Sequence, residues 1–142
     1  MEIIEIHKYS EEVLKAVNTL LPQLSSSASS ISEEQLTDII NSESTHLLMA
    51  VENGKYYGSL SLAVFAIPTG IRAWIEDVVV SESTRGKGVG KLLSIFAVEL
   101  AKKLGAKTVD LTSRPSREAA NALYKKVGFE QRETNVYRYK NT

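Results

Sequence analysis

The sequence predicts a single α/β domain, a mixed β-sheet with helices on both faces. Three observations lead there. The apolar period is helical near the start, changes to two from His46, and turns helical again after a glycine-rich loop. A strand–helix–strand stretch from Ile71 to Leu111 calls for two parallel strands joined by a right-handed crossover. The length of 142 residues suits one domain, 1–142, around one core.

Glu2 to His7 alternates like an opening strand. Ser10 caps a helix in which Val13, Leu14, Val17, Leu20 and Leu21 recur at helical spacing as far as Pro22. Ser25 to Ser30 is too small and polar to pack and reads as a loop. Ser32-Glu33-Glu34-Gln35 is a capping box that opens a second helix carrying Leu36, Ile39 and Ile40. His46 to Glu52 is a strand, Asn53-Gly54 a hairpin turn, and Lys55 to Ile67 the returning strand. Pro68-Thr69-Gly70 turns the chain into a third strand, Ile71 to Val80.

After the glycine loop, Leu92 to Leu104 is an amphipathic helix stopped by Gly105. Lys107 to Leu111 is a strand, and Ser116 caps a helix that runs to about Lys126, before Gly128. Two short strands, near Phe129 to Arg132 and Val136 to Tyr139, are expected to finish the chain. The predicted order is β-α-α-β-β-β-α-β-α-β-β.

Composition removes several function classes. There is no cysteine, hence no disulfide scaffold, thiolate zinc site or cysteine nucleophile. With only His7 and His46, a histidine-rich metal centre is excluded, and no metal is expected. Both histidines read as strand surface or packing. The longest wholly apolar run, Leu62 to Ile67, falls far short of the roughly 20 residues of a membrane span. The opening MEIIEIHK is acidic and alternating, unlike a signal peptide, so a cytoplasmic protein without a membrane partner is expected.

Net charge is zero, which speaks against general nucleic-acid binding. It is unevenly spread. Residues 1–84 hold four Lys and Arg against twelve Asp and Glu, net −8; residues 85–142 hold thirteen against five, net +8. Such a split suits an anionic ligand at one end and a cationic one at the other, or simply two differing solvated faces.

The most informative segment is Arg85-Gly86-Lys87-Gly88-Val89-Gly90-Lys91, between a strand and a helix. Glycines free backbone amides to face one anion, the helix adds its positive end, and the lysines add charge. A phosphate or pyrophosphate fits. The Walker pattern does not: three residues, rather than four, separate Gly86 from Gly90-Lys91, and Leu92 replaces the magnesium-binding hydroxyl. The dinucleotide fingerprint fails on spacing as well.

Arg85-x-x-Gly88-x-Gly90 resembles the acyl-CoA signature of the GNAT N-acetyltransferases, (Q/R)-x-x-G-x-(G/A). Ala120-x-x-Leu123-Tyr124-x-x-x-Gly128-Phe129 resembles the family's second motif, and the element order fits along nearly the whole chain. The resemblance implies acetyl-CoA as co-substrate. Its pyrophosphate would be held by Arg85, Gly86, Lys87, Gly88, Val89, Gly90 and Lys91. Its pantetheine amides would pair with the backbone of Val78, Val79 and Val80, where the strand parts from its parallel neighbour at a bulge.

Tyr124 matches the family's usual general acid for the departing thiolate, and a phenol of pKa about 10 is a workable donor. A core aromatic is the other reading of Tyr124. Glu76 occupies the position from which some members draw a base, directly or through water. Asp77 stands beside it, where it could instead orient a neighbour or bind the amine, and alternation sends the two to opposite faces. Both carboxylates sit in an otherwise apolar strand, an expensive place unless they are used or paired. In one respect the chain departs from the family: Arg117 stands seven residues before the tyrosine, where many relatives carry a pantetheine-contacting Asn. Either Arg117 or Asn121 takes that contact.

The resemblance implies acetyl transfer to a primary amine, on a small molecule or a peptide, with a cationic acceptor favoured by the acidic half. The alternative is a non-catalytic acyl-CoA-binding or regulatory module. The serine loop lies where the family often gates its acceptor site, and a homodimer through the C-terminal strands is an arrangement this architecture allows.

Overall fold

The computed structural model describes residues 1–142. The elements are β1 (Glu2–Glu5), α1 (Glu11–Leu24), α2 (Glu33–Asn41), β2 (Thr45–Glu52), β3 (Lys55–Ile67), β4 (Gly70–Val80), α3 (Val89–Lys103), β5 (Thr108–Asp110) and α4 (Glu118–Val127). A 3-10 turn at Glu82–Thr84 precedes the glycine loop. The five strands form one sheet in the order β1-β2-β3-β4-β5, antiparallel except for the parallel β4–β5 pair. The mixed sheet and the strand–helix–strand unit are as the sequence predicts.

Local chemistry accounts for the element ends. Ser10 Oγ accepts from the Val13 amide at 3.2 Å, and Ser32 and Gln35 exchange the two bonds of the capping box at 3.1 and 2.8 Å. Asn53 and Gly54 both have positive φ, 51° and 75°, as a two-residue turn between twisted strands requires. Helix α1 runs two residues past Pro22, because a proline in the last turn removes only one ladder bond.

Alternation sorts each strand between two cores. Leu48, Leu60, Leu62, Ala73 and Ile75 meet Val89, Leu93, Ala97 and Ala101 of α3 on one face. Leu47, Met49 and Val79 meet Val13, Leu20 and Leu36 of α1 and α2 on the other. A side chain so enclosed contributes about 1.5–3 kcal/mol relative to exposure, so both helical layers are held to the sheet by their apolar stripes.

Two expectations are corrected near the C-terminus. Ser116 does not cap α4; Arg117 holds the N-cap position without a side-chain bond, and Asn121 Nδ2 instead donates to the Arg114 carbonyl at 3.0 Å. The two final strands do not form, and residues 130–142 make no backbone–backbone hydrogen bond. A strand needs a partner as well as an alternating pattern, and β5 is only three residues long. Arg132 approaches Asp110 of β5 at 3.6 Å, but Val136, Tyr137 and Tyr139 stay 70, 87 and 90% exposed.

Candidate active site

The site begins with a break in β4. Ser61 pairs with Glu76 and Ser59 with Val79, so Asp77 and Val78 together stand opposite Leu60 alone. This is a β-bulge, and Asp77 takes a left-handed φ of 50° to make it. The extra residue switches the strand's parity: Ala73 and Ile75 face α3 before it, Val78 and Val80 after it. Glu76 and Asp77 are consequently not divided between opposite faces, as alternation predicts. Both border the same pocket, and both are solvent-exposed instead of buried in an apolar strand.

Beyond the bulge the sheet opens. Strand β5 pairs only with Arg72 to Trp74, which leaves Ile75 to Val80 without a strand partner on that side. The opening holds a pocket of about 90 Å³ bordered by Glu76, Asp77, Val78, Leu111, Thr112, Arg117 and Tyr124, among others. Trp74 Nε1 donates to Glu76 Oε1 at 2.8 Å and fixes that carboxylate at the rim. Arg117 borders the pocket and Asn121, occupied at the Arg114 carbonyl, does not.

Tyr124 is 8% exposed, and its ring meets Phe129 edge-on at 5.8 Å between centroids. Burial raises its pKa above the usual 10.0, opposed by the positive charge of Arg117. The phenol therefore stays protonated at neutral pH. Its hydroxyl has no protein partner, so its proton is free to go to a bound group.

The strand then enters the glycine loop. Gly86 and Gly88 have φ of 82° and 79°, and a Cβ at either would meet only open space. The amides of Gly86, Gly88, Val89, Gly90 and Lys91 donate to no acceptor in the protein. Gly90 packs closely enough that a Cβ would lie 3.6 Å from Val80 and 3.7 Å from Leu123, which joins the loop to β4 and α4. Gln23 Oε1 accepts from the Glu82 amide at 2.9 Å and ties the end of α1 to the same loop. A cradle of unpaired amides beside Arg85, Lys87 and Lys91 fits the pyrophosphate and phosphates of coenzyme A.

On the opposite side of the bulge lies a second cavity, of about 110 Å³, between the sheet and helices α1 and α2. Leu24 and Asp77 border both spaces. In the sequence Asp77 stands second to Glu76; its signal is the acidic pair in an apolar strand, and the bulge that lends it two neighbouring spaces has no local sequence mark. The histidines lie elsewhere, His46 paired with Glu5 at 2.7 Å and His7 exposed.

Residues 13–129 match the Acetyltransferase (GNAT) family, and the chain belongs to that family. It is 44% identical over 55 residues to an uncharacterised N-acetyltransferase, YvbK, of Bacillus subtilis, covering 39% of this chain and 36% of YvbK. It is 38% identical over 61 residues to another, MJ1207, of Methanocaldococcus jannaschii, covering 43% of this chain and 27% of MJ1207. The matched region is thus less than half the length of either relative.

Among solved structures, an acetyltransferase of Trypanosoma brucei superposes with a TM-score of 0.79 at 26% identity over 98% of this chain and 99% of that one. An aminoglycoside acetyltransferase from a soil metagenome, in complex with sisomicin, gives 0.88 at 17% over 99% and 95%. The glucosamine-6-phosphate N-acetyltransferase of Arabidopsis thaliana gives 0.82 at 22% over 99% and 100%. The last two likenesses establish the fold alone.

Proposed function

We propose that this protein transfers an acetyl group from acetyl-CoA to a primary amine by direct attack in a ternary complex. One observation carries the reading: Tyr124, Glu76 and Asp77 meet at the opening between β4 and β5, on the strand that leads into the unpaired loop amides. Family membership supports the same reaction class.

Acetyl-CoA supplies the acetyl group as an activated thioester. The unpaired amides of Gly86, Gly88, Val89, Gly90 and Lys91 hold its pyrophosphate beside the Arg85, Lys87 and Lys91 side chains; the amides of Arg85 and Lys87 are bonded to the carbonyls of Glu82 and Thr84. The free backbone edge of Val78, Val79 and Val80 takes the pantetheine amides. Arg117, which borders the pocket, takes the contact that many relatives give to Asn. Glu76, oriented by Trp74, accepts a proton from the incoming ammonium, directly or through water, and so frees the nitrogen lone pair. Tyr124 gives its proton to the departing sulfur. The C–N bond forms as the C–S bond breaks. The second proton of the acylated nitrogen restores Tyr124, and the proton on Glu76 passes to solvent, so one proton is released per acetyl group transferred.

We further infer a cytoplasmic location, checked by fractionation; the homodimer expected through the C-terminal strands loses that basis, since those strands do not form. The reaction itself is tested by a thermal melt with acetyl-CoA, using NADH and ATP as controls. At a hundredfold excess over Kd a native-state ligand adds about 2.7 kcal/mol, a shift of several degrees. A shift with acetyl-CoA alone is expected. A shift from either control without one from acetyl-CoA overturns the reading.

A further inference from the structure

Resting on the transferase reading, the geometry points to a narrower acceptor class: a small primary amine with one positive charge and a short apolar body. The body fills the cavity beneath α1 and α2, and the ammonium lies at Asp77.

The cavity of about 110 Å³ is lined by twelve residues, nine of them hydrophobic, including Val17, Leu20, Leu36, Ile39 and Leu47. Its polar members are Ser59, Ser61 and Asp77 alone. At roughly 10–15 Å³ of such space per water, it has room for a small organic body on the order of seven to ten heavy atoms. No second carboxylate borders it, so a second ammonium would be buried without a counter-charge, which is strongly unfavourable. Two serine hydroxyls are too few to satisfy the several hydroxyls of a sugar ring, and each one left unpaired would count against binding.

Asp77 is the one charged group of this cavity and also borders the pocket that contains Tyr124. An ammonium at Asp77 thus lies where the two spaces meet, with its carbon body on the apolar side and its nitrogen toward the opening. The acidic bias of the first 84 residues suits the approach of a cation, while the cavity limits that cation to a single charge. The end of the serine loop is fixed beside the cavity by Asn18, which accepts from the Ile31 amide at 2.8 Å and donates to its carbonyl at 3.1 Å.

The test is thiol release from acetyl-CoA by the full chain with n-butylamine, 1,4-diaminobutane and glucosamine. The first two have the same carbon chain and differ by one ammonium. We expect kcat/KM for n-butylamine to exceed that of the diamine on the order of 100-fold, a discrimination of the size apolar pockets reach. Asp77→Asn keeps a residue that tolerates left-handed backbone and should raise KM for n-butylamine at least about tenfold, while acetyl-CoA still raises Tm. Ser61→Leu, which narrows the cavity from β3, should raise the same KM.

Equal or faster turnover of the diamine or glucosamine overturns the acceptor class and leaves acetyl transfer standing. Turnover of none of the three also overturns it, and the acetyl-CoA melt then decides separately whether the transferase reading survives.

Discussion

The indole N–H of Trp74 donates a 2.8 Å hydrogen bond to the carboxylate of Glu76, two residues along the same strand. The two share a face because they precede the bulge. Trp74 thereby positions Glu76 at the pocket that Tyr124 also borders. Glu76→Gln should lower kcat by about 10²- to 10⁴-fold, with acetyl-CoA still raising Tm. Trp74→Phe keeps the bulk and removes the donor, so it should lower kcat by a smaller factor, about tenfold for one lost hydrogen bond. Thiol-release kinetics on both variants check this; an unchanged kcat in Glu76→Gln would remove Glu76 from the mechanism.

Tyr124→Phe deletes a hydroxyl with no protein partner. Stability at neutral pH should stay within about 0.5 kcal/mol of the parent, since no bond is lost. By contrast, kcat should fall by about 10²- to 10⁴-fold if the phenol is the acid. Steady-state kinetics and a melt on the same preparation separate the two effects.

The same tyrosine sets an alkaline limit. Its folded pKa is raised above 10.0 by burial, so above that pH the unfolded chain releases the proton while the folded chain retains it. Stability from this group is fully present below pH 10 and declines as pH rises through the raised value. The Tyr124→Phe protein should lack that part of the alkaline decline. Melts in steps through and above pH 10 measure the difference between the two proteins.

Gly88 begins α3 with a φ of 79°. Gly88→Ala should cost about 1–2 kcal/mol from the left-handed backbone, a fall in Tm of a few degrees. Its new methyl would stand in open space within the protein, on the side where a ligand reaches the loop amides. The KM for acetyl-CoA should rise at least about tenfold, a change of roughly 1.4 kcal/mol, with kcat at saturation little altered. Kinetics with acetyl-CoA varied at fixed amine show whether this holds.

Residues 130–142 make no backbone–backbone hydrogen bond and keep Val136, Tyr137 and Tyr139 exposed. Their amides should exchange with solvent far faster than those of β2 or β3. Ending the chain after Arg132 should leave Tm unchanged within about 2 °C, since little buried surface goes with it. Hydrogen exchange and a melt of the shortened chain report on this directly.

Much of this architecture was legible from local chemistry. Asn53-Gly54, the Ser32–Gln35 box and Gly105 act over a few residues, so their sequence carries their structure. The glycine loop was legible for the same reason. The C-terminal strands were misread because pairing depends on a distant edge, which alternation between Val136 and Tyr139 does not reveal. The bulge at Asp77 escaped for a related reason. Asp tolerates a positive φ without requiring it, and the register that demands it is set by β3, across the sheet. With the bulge went the cavity beside it, although the acidic pair in an apolar strand already marked Asp77 as a candidate amine ligand.

That one surplus residue makes β4 behave as two strands spliced out of step. Deleting Asp77 would close the splice: with plain alternation restored, Val78 and Val80 would still face α3 and Val79 the layer under α1 and α2, while the carboxylate shared by the two spaces would be gone. Packing can therefore survive at this position a change that the site cannot, so the residue is carried for the site and not for the core. Selection on folding and selection on turnover are separable at residue 77.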